Sequence, residues 1–152
     1  MTSFEKAMGF VGLHEWGTRA DGGYTNDPVD AGGETKYGIS KRAHPDVDIA
    51  HLTLEDALAI YRRDYWDFYR LDNFPSPLCI AMFDAFVQHN PKRVAEWIPQ
   101  DYSNWKGFNE KRRLHYLRII EKNPSQIKYK KGWLRRLCDL DKLCTIEEQT
   151  TD

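Results

Sequence analysis

The chain has 152 residues, enough for one domain or for a small catalytic unit fused to a smaller helical one. Its hydrophobic content of 41% is ordinary for a soluble globular protein, and no stretch approaches the roughly 18 apolar residues that span a membrane. Residues 1–6 lack the basic start and apolar core of a secretory signal. The three cysteines cannot all pair within one chain and have no metal-ligand spacing, so we expect reduced thiols.

The net charge of −1 hides an uneven distribution. Between Lys106 and Leu143 there are twelve Lys or Arg residues and four Asp or Glu residues, a local charge of +8. A basic segment of this kind suits an anionic partner such as nucleic acid or a bacterial envelope polymer. A solvated helix face would have the same composition, so charge alone leaves both interpretations open.

Helical periodicity dominates the chain. Apolar residues between Phe4 and Val11 recur at helical spacing and predict an amphipathic helix over residues 4–16. Further helices are predicted over residues 54–66, opened by a Thr53–Asp56 capping box, and over residues 78–88, 91–97, 108–122 and 129–143. Strand signals are confined to a short ribbon within residues 24–39. We therefore expect a mainly α fold.

Residues 17–40 form a glycine-rich polar loop. Six of the ten glycines of the chain lie between Gly17 and Gly38, among several carboxylates and hydroxyls. Glycine permits tight turns and lets a backbone approach a ligand closely, at an entropic cost that surface loops rarely concentrate in one place. The composition predicts an active-site loop.

Glu15 immediately precedes this loop. It falls in the middle of the apolar stripe of the first predicted helix, and at the C-terminal end of that helix. Apolar burial and the negative end of the helix dipole both favour a protonated carboxyl, which a general acid requires at neutral pH. The structural alternatives are a surface glutamate at a fraying helix end, or a glutamate paired with Arg19.

Further candidates for chemistry lie in the loop. A glycosidase needs a second carboxylate that activates water or stabilises positive charge, and a hydroxyl can orient that water. Asp27, Asp30 and Thr35 have the required groups. The same residue types also cap turns, and Asn26-Asp27-Pro28 is good turn chemistry. Both interpretations stay open for each of these residues.

The loop resembles a known family. Glu15 is followed by Gly-Gly-Tyr, Asn-Asp-Pro, Asp-x-Gly-Gly and Thr-x-x-Gly-Ile within residues 22–39, and this order is similar to glycoside hydrolase family 108. These proteins are N-acetylmuramidases, often phage endolysins. Residues 54–66 fit the same pattern. Segments at residues 83–84, 89–90 and 131–136 resemble the predicted peptidoglycan-binding module that usually follows the catalytic region.

One position departs from the family pattern. Family members usually place the catalytic glutamate directly before Gly-Gly-Tyr, where this chain has Asp21. Either Glu15 is the acid and six residues are inserted after it, or Asp21 has replaced it. Glu15 is favoured, because the helix pattern from Ala7 to His14 continues intact up to it. Aspartate is also intrinsically more acidic, and so a poorer acid at neutral pH.

The resemblance implies a lysozyme-like fold and hydrolysis of the β-1,4 bond between N-acetylmuramic acid and N-acetylglucosamine in peptidoglycan. Glu15 would protonate the leaving oxygen. Asp30, or else Asp27, would activate water or stabilise the oxocarbenium-like transition state, and Thr35 would position water. The residues expected to line the sugar sites are Tyr24, Tyr37, Trp16 and Trp133. This chemistry needs no cofactor.

The expected organisation is a catalytic muramidase region (residues 1–75), a helical peptidoglycan-binding-like region packed on it (76–144) and a flexible acidic tail (145–152). We expect a monomer that binds bacterial peptidoglycan and no nucleic acid. It would be made in the host cytoplasm without a signal peptide and reach the wall through a holin or another export route, for host lysis. The alternative is a non-catalytic peptidoglycan- or nucleic-acid-binding module with a decayed active site, which the displaced glutamate favours.

Overall fold

A computed structural model describes residues 1–29 and 32–150. In this part of the chain the α-helices are α1 (Ser3–Glu15), α2 (Leu54–Tyr61), α3 (Leu78–Gln88), α4 (Pro91–Ala95), α5 (Trp105–Lys122) and α6 (Ile127–Thr150). Short 3₁₀ turns cover Ile49–His51, Leu71–Asn73 and Pro124–Gln126, and a π-helical turn covers Arg62–Asp67. Among the described residues, no helix combines the length and the apolar character that crossing a membrane requires.

A two-stranded antiparallel ribbon follows α1. Strand β1 (Thr35–Lys36) pairs with β2 (Ile39–Ser40), so that Thr35 lies opposite Ser40. The turn residues Tyr37 and Gly38 both have positive φ, 52° and 73°, as the two-residue turns that match the twist of a hairpin require. The predicted mainly α, lysozyme-like fold with a short β ribbon is confirmed.

Side-chain caps begin four of the described helices, α1, α2, α4 and α5. The Glu5 N–H donates to Thr2 Oγ1 (3.1 Å) and the Thr2 N–H donates to Glu5 Oε2 (2.9 Å), a complete capping box for α1. At α2 the Asp56 N–H donates to Thr53 Oγ1 (3.1 Å), so the predicted start of this helix is confirmed. Regular α-helix ends at Tyr61, and the rest of the predicted segment forms the π-helical turn.

Helix α3 is the centre of the fold. Nine of its eleven residues, Leu78 to Phe86, are buried. Helices α1, α5 and α6 all pack against α3, and α5 packs along α6. A single hydrophobic cluster therefore contains Val11 from the N-terminal part and Leu137 from the C-terminal part. The division at residue 75 into a catalytic and a binding region remains a prediction.

The C-terminal segment differs from the predicted flexible tail, because α6 continues to Thr150. Glu147 is buried, and its Oε2 accepts a hydrogen bond from Lys6 Nζ at 2.7 Å. The indole Nε1 of Trp105 donates to Glu148 Oε2 at 2.9 Å. These acidic residues have partners on α1 and α5, so residues 145–150 are helical and bonded to the rest of the fold, and the predicted flexibility of the tail remains a prediction.

Candidate active site

Glu15 is the last residue of α1, and its side chain is 21% exposed. Its Oε1 accepts hydrogen bonds from Gln88 Nε2 (2.7 Å) and Arg136 Nη1 (2.9 Å). Within residues 1–29 and 32–150, Oε2 has no hydrogen-bond donor. The carboxylate is therefore paired, with partners other than the Arg19 that the sequence offered, because the fold brings α6 and the end of α3 to the end of α1.

Arg136 links Glu15 to a buried chain of charges. Its Nη2 donates to Asp84 Oδ1 at 2.6 Å and its Nε donates to the same oxygen at 3.2 Å. Oδ2 of Asp84 lies 2.8 Å from Nη1 of Arg112. The side chains of Asp84 and Arg112 are 1% and 0% exposed. Buried charges are tolerated when they are paired, and here two carboxylates alternate with two guanidinium groups.

The charges in this chain stabilise one another. Burial alone would raise the pKa of Asp84, but the charges and hydrogen bonds of Arg112 and Arg136 outweigh it and hold the pKa below its ordinary value. Burial acts to lower the pKa of Arg136, and the carboxylates of Asp84 and Glu15 reverse that effect and raise it. Asp84 and Arg136 therefore both stay charged throughout the pH range in which the protein would be assayed.

His89 and Tyr116 complete the buried side of the network. Arg112 Nε donates to His89 Nε2 at 3.1 Å and lies 3.3 Å from the Tyr116 hydroxyl. Burial lowers the pKa of His89 to about 3, and the charges of Arg112 and His115 act in the same direction. A neutral imidazole is therefore the acceptor for the Arg112 guanidinium.

The turn of the ribbon lies directly against Glu15. A Cβ on Gly38 would overlap the Tyr61 hydroxyl and lie 3.3 Å from Cγ of Glu15. Tyr61 donates a hydrogen bond from this hydroxyl to the Tyr37 carbonyl oxygen at 2.8 Å. Arg19 Nη2 donates to the backbone carbonyl of Glu15 at 2.6 Å, so Arg19 holds the helix end and not the carboxylate. The absence of a side chain at Gly38 lets the loop approach the acid.

The two described loop aspartates act as turn caps. Oδ1 of Asp21 accepts the Gly23 N–H at 2.9 Å, and Oδ1 of Asp27 accepts the Val29 N–H at 2.9 Å. Both side chains belong to exposed residues. Asp30 lies outside the described residues. The role of a second carboxylate for Asp27 or Asp30 therefore remains a prediction.

Thr35 and the loop tyrosines lie in the ribbon. Thr35 exchanges two backbone hydrogen bonds of 2.9 Å with Thr25. The Tyr24 hydroxyl donates to Glu34 Oε2 at 2.6 Å, and this bond, followed by desolvation, raises the pKa of Tyr24. The Tyr37 ring packs over Gly22. These contacts bind Tyr24 and Tyr37 to the loop itself, while a sugar-binding role stays a prediction.

The two predicted tryptophans lie in different places. Trp16 follows α1, and its ring meets the edge of Tyr37 with the centroids 5.2 Å apart. Trp133 is on α6, stacked on Tyr116 and Tyr129 at centroid distances of 5.1 and 5.8 Å. Both indoles are half-buried. They pack in separate aromatic clusters.

A cavity of about 470 Å³ opens between the end of α1 and α6. Its lining residues are Leu13, His14, Gly132, Arg135, Arg136 and Asp139. This volume is in the usual range for small-molecule sites, and Arg136 borders both the cavity and Glu15. A groove of about 440 Å³ between α1 and α2 is mainly apolar and has Glu5 as its only ionisable residue, so it offers less chemistry.

Sequence reasoning missed the partners of Glu15. Asp84 carried a usable signal, because a carboxylate within the apolar segment 78–87 must be buried and therefore needs a cation. No pattern shows which of the many basic residues that cation is. Among the described residues, no group of three or more His, Cys, Asp or Glu side chains is arranged to hold a metal ion.

The chain is thus a mainly α protein in which the Glu15 carboxylate lies where the first helix meets a glycine-rich ribbon. The family model for glycosyl hydrolase 108 matches residues 15–89, a segment that begins at Glu15. This match supports a glycoside hydrolase. Arg112 and Arg136 lie outside the matched segment.

One solved structure shows the same fold over nearly the whole chain. SagA of Brucella abortus is 21% identical in sequence, with a TM-score of 0.70 over 98% of this chain and 97% of that chain. No curated protein is significantly similar in sequence.

Proposed function

We propose that this protein is a peptidoglycan hydrolase that cleaves the β-1,4 bond between N-acetylmuramic acid and N-acetylglucosamine. The observation that carries the proposal is the position of Glu15. It is the first residue of the segment that matches glycosyl hydrolase 108, and its carboxyl faces the ribbon turn with one oxygen held by two donors. The match of this segment to the family model supports a polysaccharide substrate.

The proposed reaction adds water across the glycosidic bond. The proton of the Glu15 carboxyl moves to the bridging oxygen while the bond between C1 and that oxygen breaks, and the bonding electrons go to the leaving oxygen. Water supplies a hydroxyl to C1, and its proton passes to a second carboxylate. Asp30 and Asp27 are the candidates for that carboxylate, and Thr35 would orient the water.

Asp21 is the weaker candidate for the catalytic acid. Its carboxylate caps the turn at Gly23, whereas Glu15 is held against the ribbon by side chains from α3 and α6. Capping the turn is a sufficient reason for an aspartate at this position. The proposal therefore keeps Glu15 as the acid.

The first prediction concerns the products from purified peptidoglycan. Wild type should release new reducing ends on muramic acid, Glu15→Gln should lose at least about 100-fold in rate, and Asp21→Asn should keep the rate within about threefold. Muropeptide analysis by mass spectrometry after borohydride reduction measures these ends. Loss of activity in Asp21→Asn alone would transfer the acid role to Asp21.

The competing function is a non-catalytic peptidoglycan-binding module. It is favoured by the aspartate that stands in the glutamate slot of the family pattern. Binding of purified peptidoglycan by wild type with no new reducing ends would establish it and overturn the hydrolase. Host lysis after release to the wall belongs to the hydrolase proposal, and a phage or a bacterial secretion system would both use such an enzyme.

A further inference from the structure

The geometry points to Arg136 as the residue that positions Glu15 and assigns its two oxygens different tasks. Arg136 and Gln88 hold Oε1, and Oε2 is left to carry the transferred proton. This inference rests on the proposed function, because it takes Glu15 as the acid. It goes beyond the family match, since Arg136 is on α6 and outside residues 15–89.

The contacts of Arg136 fix the direction of its side chain. Nε and Nη2 both bind Asp84, and this two-point attachment leaves Nη1 directed at Glu15 Oε1. Asp84 is itself held by Arg112, and both are fully buried, so the attachment has a rigid base. A planar guanidinium can make these three contacts at once, whereas a lysine ammonium cannot reproduce this geometry.

Charge balance shows that Arg136 is not needed merely to neutralise Asp84. Arg112 already provides one positive charge to that carboxylate at 2.8 Å. The remaining donor of Arg136, Nη1, contacts Glu15 Oε1 at 2.9 Å. Asp84 and Arg112 alone would already form a neutral buried pair, so neutrality of the core does not require Arg136.

The arrangement fits proton donation from Oε2. When the bond between Oε2 and its proton breaks, the negative charge is shared with Oε1, where two donors are already in place. Donors that are positioned before the charge develops need no rearrangement during the step, which makes such stabilisation effective. Holding Oε1 also prevents rotation of the carboxyl, so that Oε2 keeps its direction.

Few other ionisable groups face Glu15 among the described residues. Asp84 is on α3, Tyr61 on α2 and Arg19 in the loop after α1. His14 precedes Glu15, with Nε2 3.5 Å from Asp139 Oδ2, and burial lowers its pKa. Arg136 is the one cation in contact with the carboxylate in the described structure, so no other cation there can take over the positioning of Glu15.

The experiment compares wild type with Arg136→Met, Arg136→Lys and the control Lys142→Met on purified peptidoglycan. Lys142 is an exposed cation on α6 that does not line the cavity beside Glu15. We expect Arg136→Met to lower kcat about 100-fold with KM within about twofold, as misplacement of a catalytic group does. Arg136→Lys should also lower kcat, because an ammonium group cannot make the three contacts at once.

A second comparison separates positioning from general structural damage. In the Glu15→Gln background, Arg136→Met should lower kcat no further, because the effects of substituting residues that act through one another are not additive. Circular dichroism shows whether each variant is folded. If Arg136→Met is not folded, the kcat comparison is made with Arg136→Lys. Arg136 variants with the kcat of Lys142→Met would overturn the positioning role alone. Absence of new reducing ends with wild type would overturn the proposed function itself.

Discussion

At the scale of single residues, the site depends on a glycine as much as on a carboxylate. Gly38 has φ of 73°, the Tyr61 hydroxyl occupies the space where a side chain would begin, and Glu15 borders that space at 3.3 Å. Positive φ and close approach are the two situations in which glycine is difficult to replace. Both the ribbon turn and the position of the Glu15 carboxyl therefore require a glycine at position 38.

We predict that Gly38→Ala destabilises the fold by about 1–3 kcal/mol and lowers kcat, because the new Cβ must displace Tyr61 or Glu15. Urea unfolding and the peptidoglycan assay measure the two effects. Gly9→Ala is the matched control. Gly9 lies within α1 with no atom near its potential Cβ, so alanine there should stabilise by about 0.5–1 kcal/mol. A Gly38→Ala variant as stable as Gly9→Ala would contradict the packing argument.

At the scale of elements, α6 has more than one role. Its first half supplies Arg136 to the site, and its last turns carry Glu147 and Glu148 to α1 and α5. The basic character of this region is also only partly a surface property, because Arg112 is fully buried and Arg136 is 11% exposed. Two of the cations that suggested an anionic partner are internal ion-pair partners.

The last turns of α6 should contribute to stability. Glu147→Ala removes the partner of Lys6 and is expected to lower the free energy of unfolding by about 1–3 kcal/mol, since a partly buried cation loses its acceptor. The corresponding fall in Tm, a few degrees, can be followed by calorimetry. Gln149→Ala, at an exposed position of the same turn, is the control and should change Tm by less than about 1 °C. Equal Tm values for both variants would support the frayed tail that the sequence suggested.

At the scale of the whole molecule, the buried network makes stability depend on pH. The pKa of His89 is about 3 in the folded chain, against about 6.5 when unfolded. Between these values the unfolded chain binds more protons, so the contribution of His89 is complete above about pH 6.5 and is lost as the pH falls towards 3. The slope from this one residue reaches about 1.4 kcal/mol per pH unit.

We therefore predict that the free energy of unfolding declines from pH 7 to pH 4.5, and that His89→Gln has a smaller slope over the same interval. Urea titrations at four pH values measure this slope. His51→Gln is the control, because the side chain of His51 is 84% exposed. The same slope in wild type and in His89→Gln would show that other groups cause the acid sensitivity.

The sequence by itself determined the elements and the local chemistry of the loop. Periodicity predicted the helices, the Thr53–Asp56 pair predicted a helix start, and weak strand signals predicted a short ribbon, because these features depend on neighbours a few residues apart. It also determined Glu15 as the residue to test, from its place at the end of the first helix and from the motif order.

Only the tertiary structure decided what surrounds Glu15. Gln88 and Arg136 lie 73 and 121 residues away in sequence, and local patterns contain no information on such pairings. The sequence placed Glu15 in an apolar stripe and offered Arg19 as a partner, but it could not show Gln88 or Arg136 for this reason. The same limit applies at the C-terminus, where a polar composition suggested a free tail. The acidic side chains there are ordered by Lys6 and Trp105, which only the packing of α6 against α1 and α5 brings within hydrogen-bonding distance.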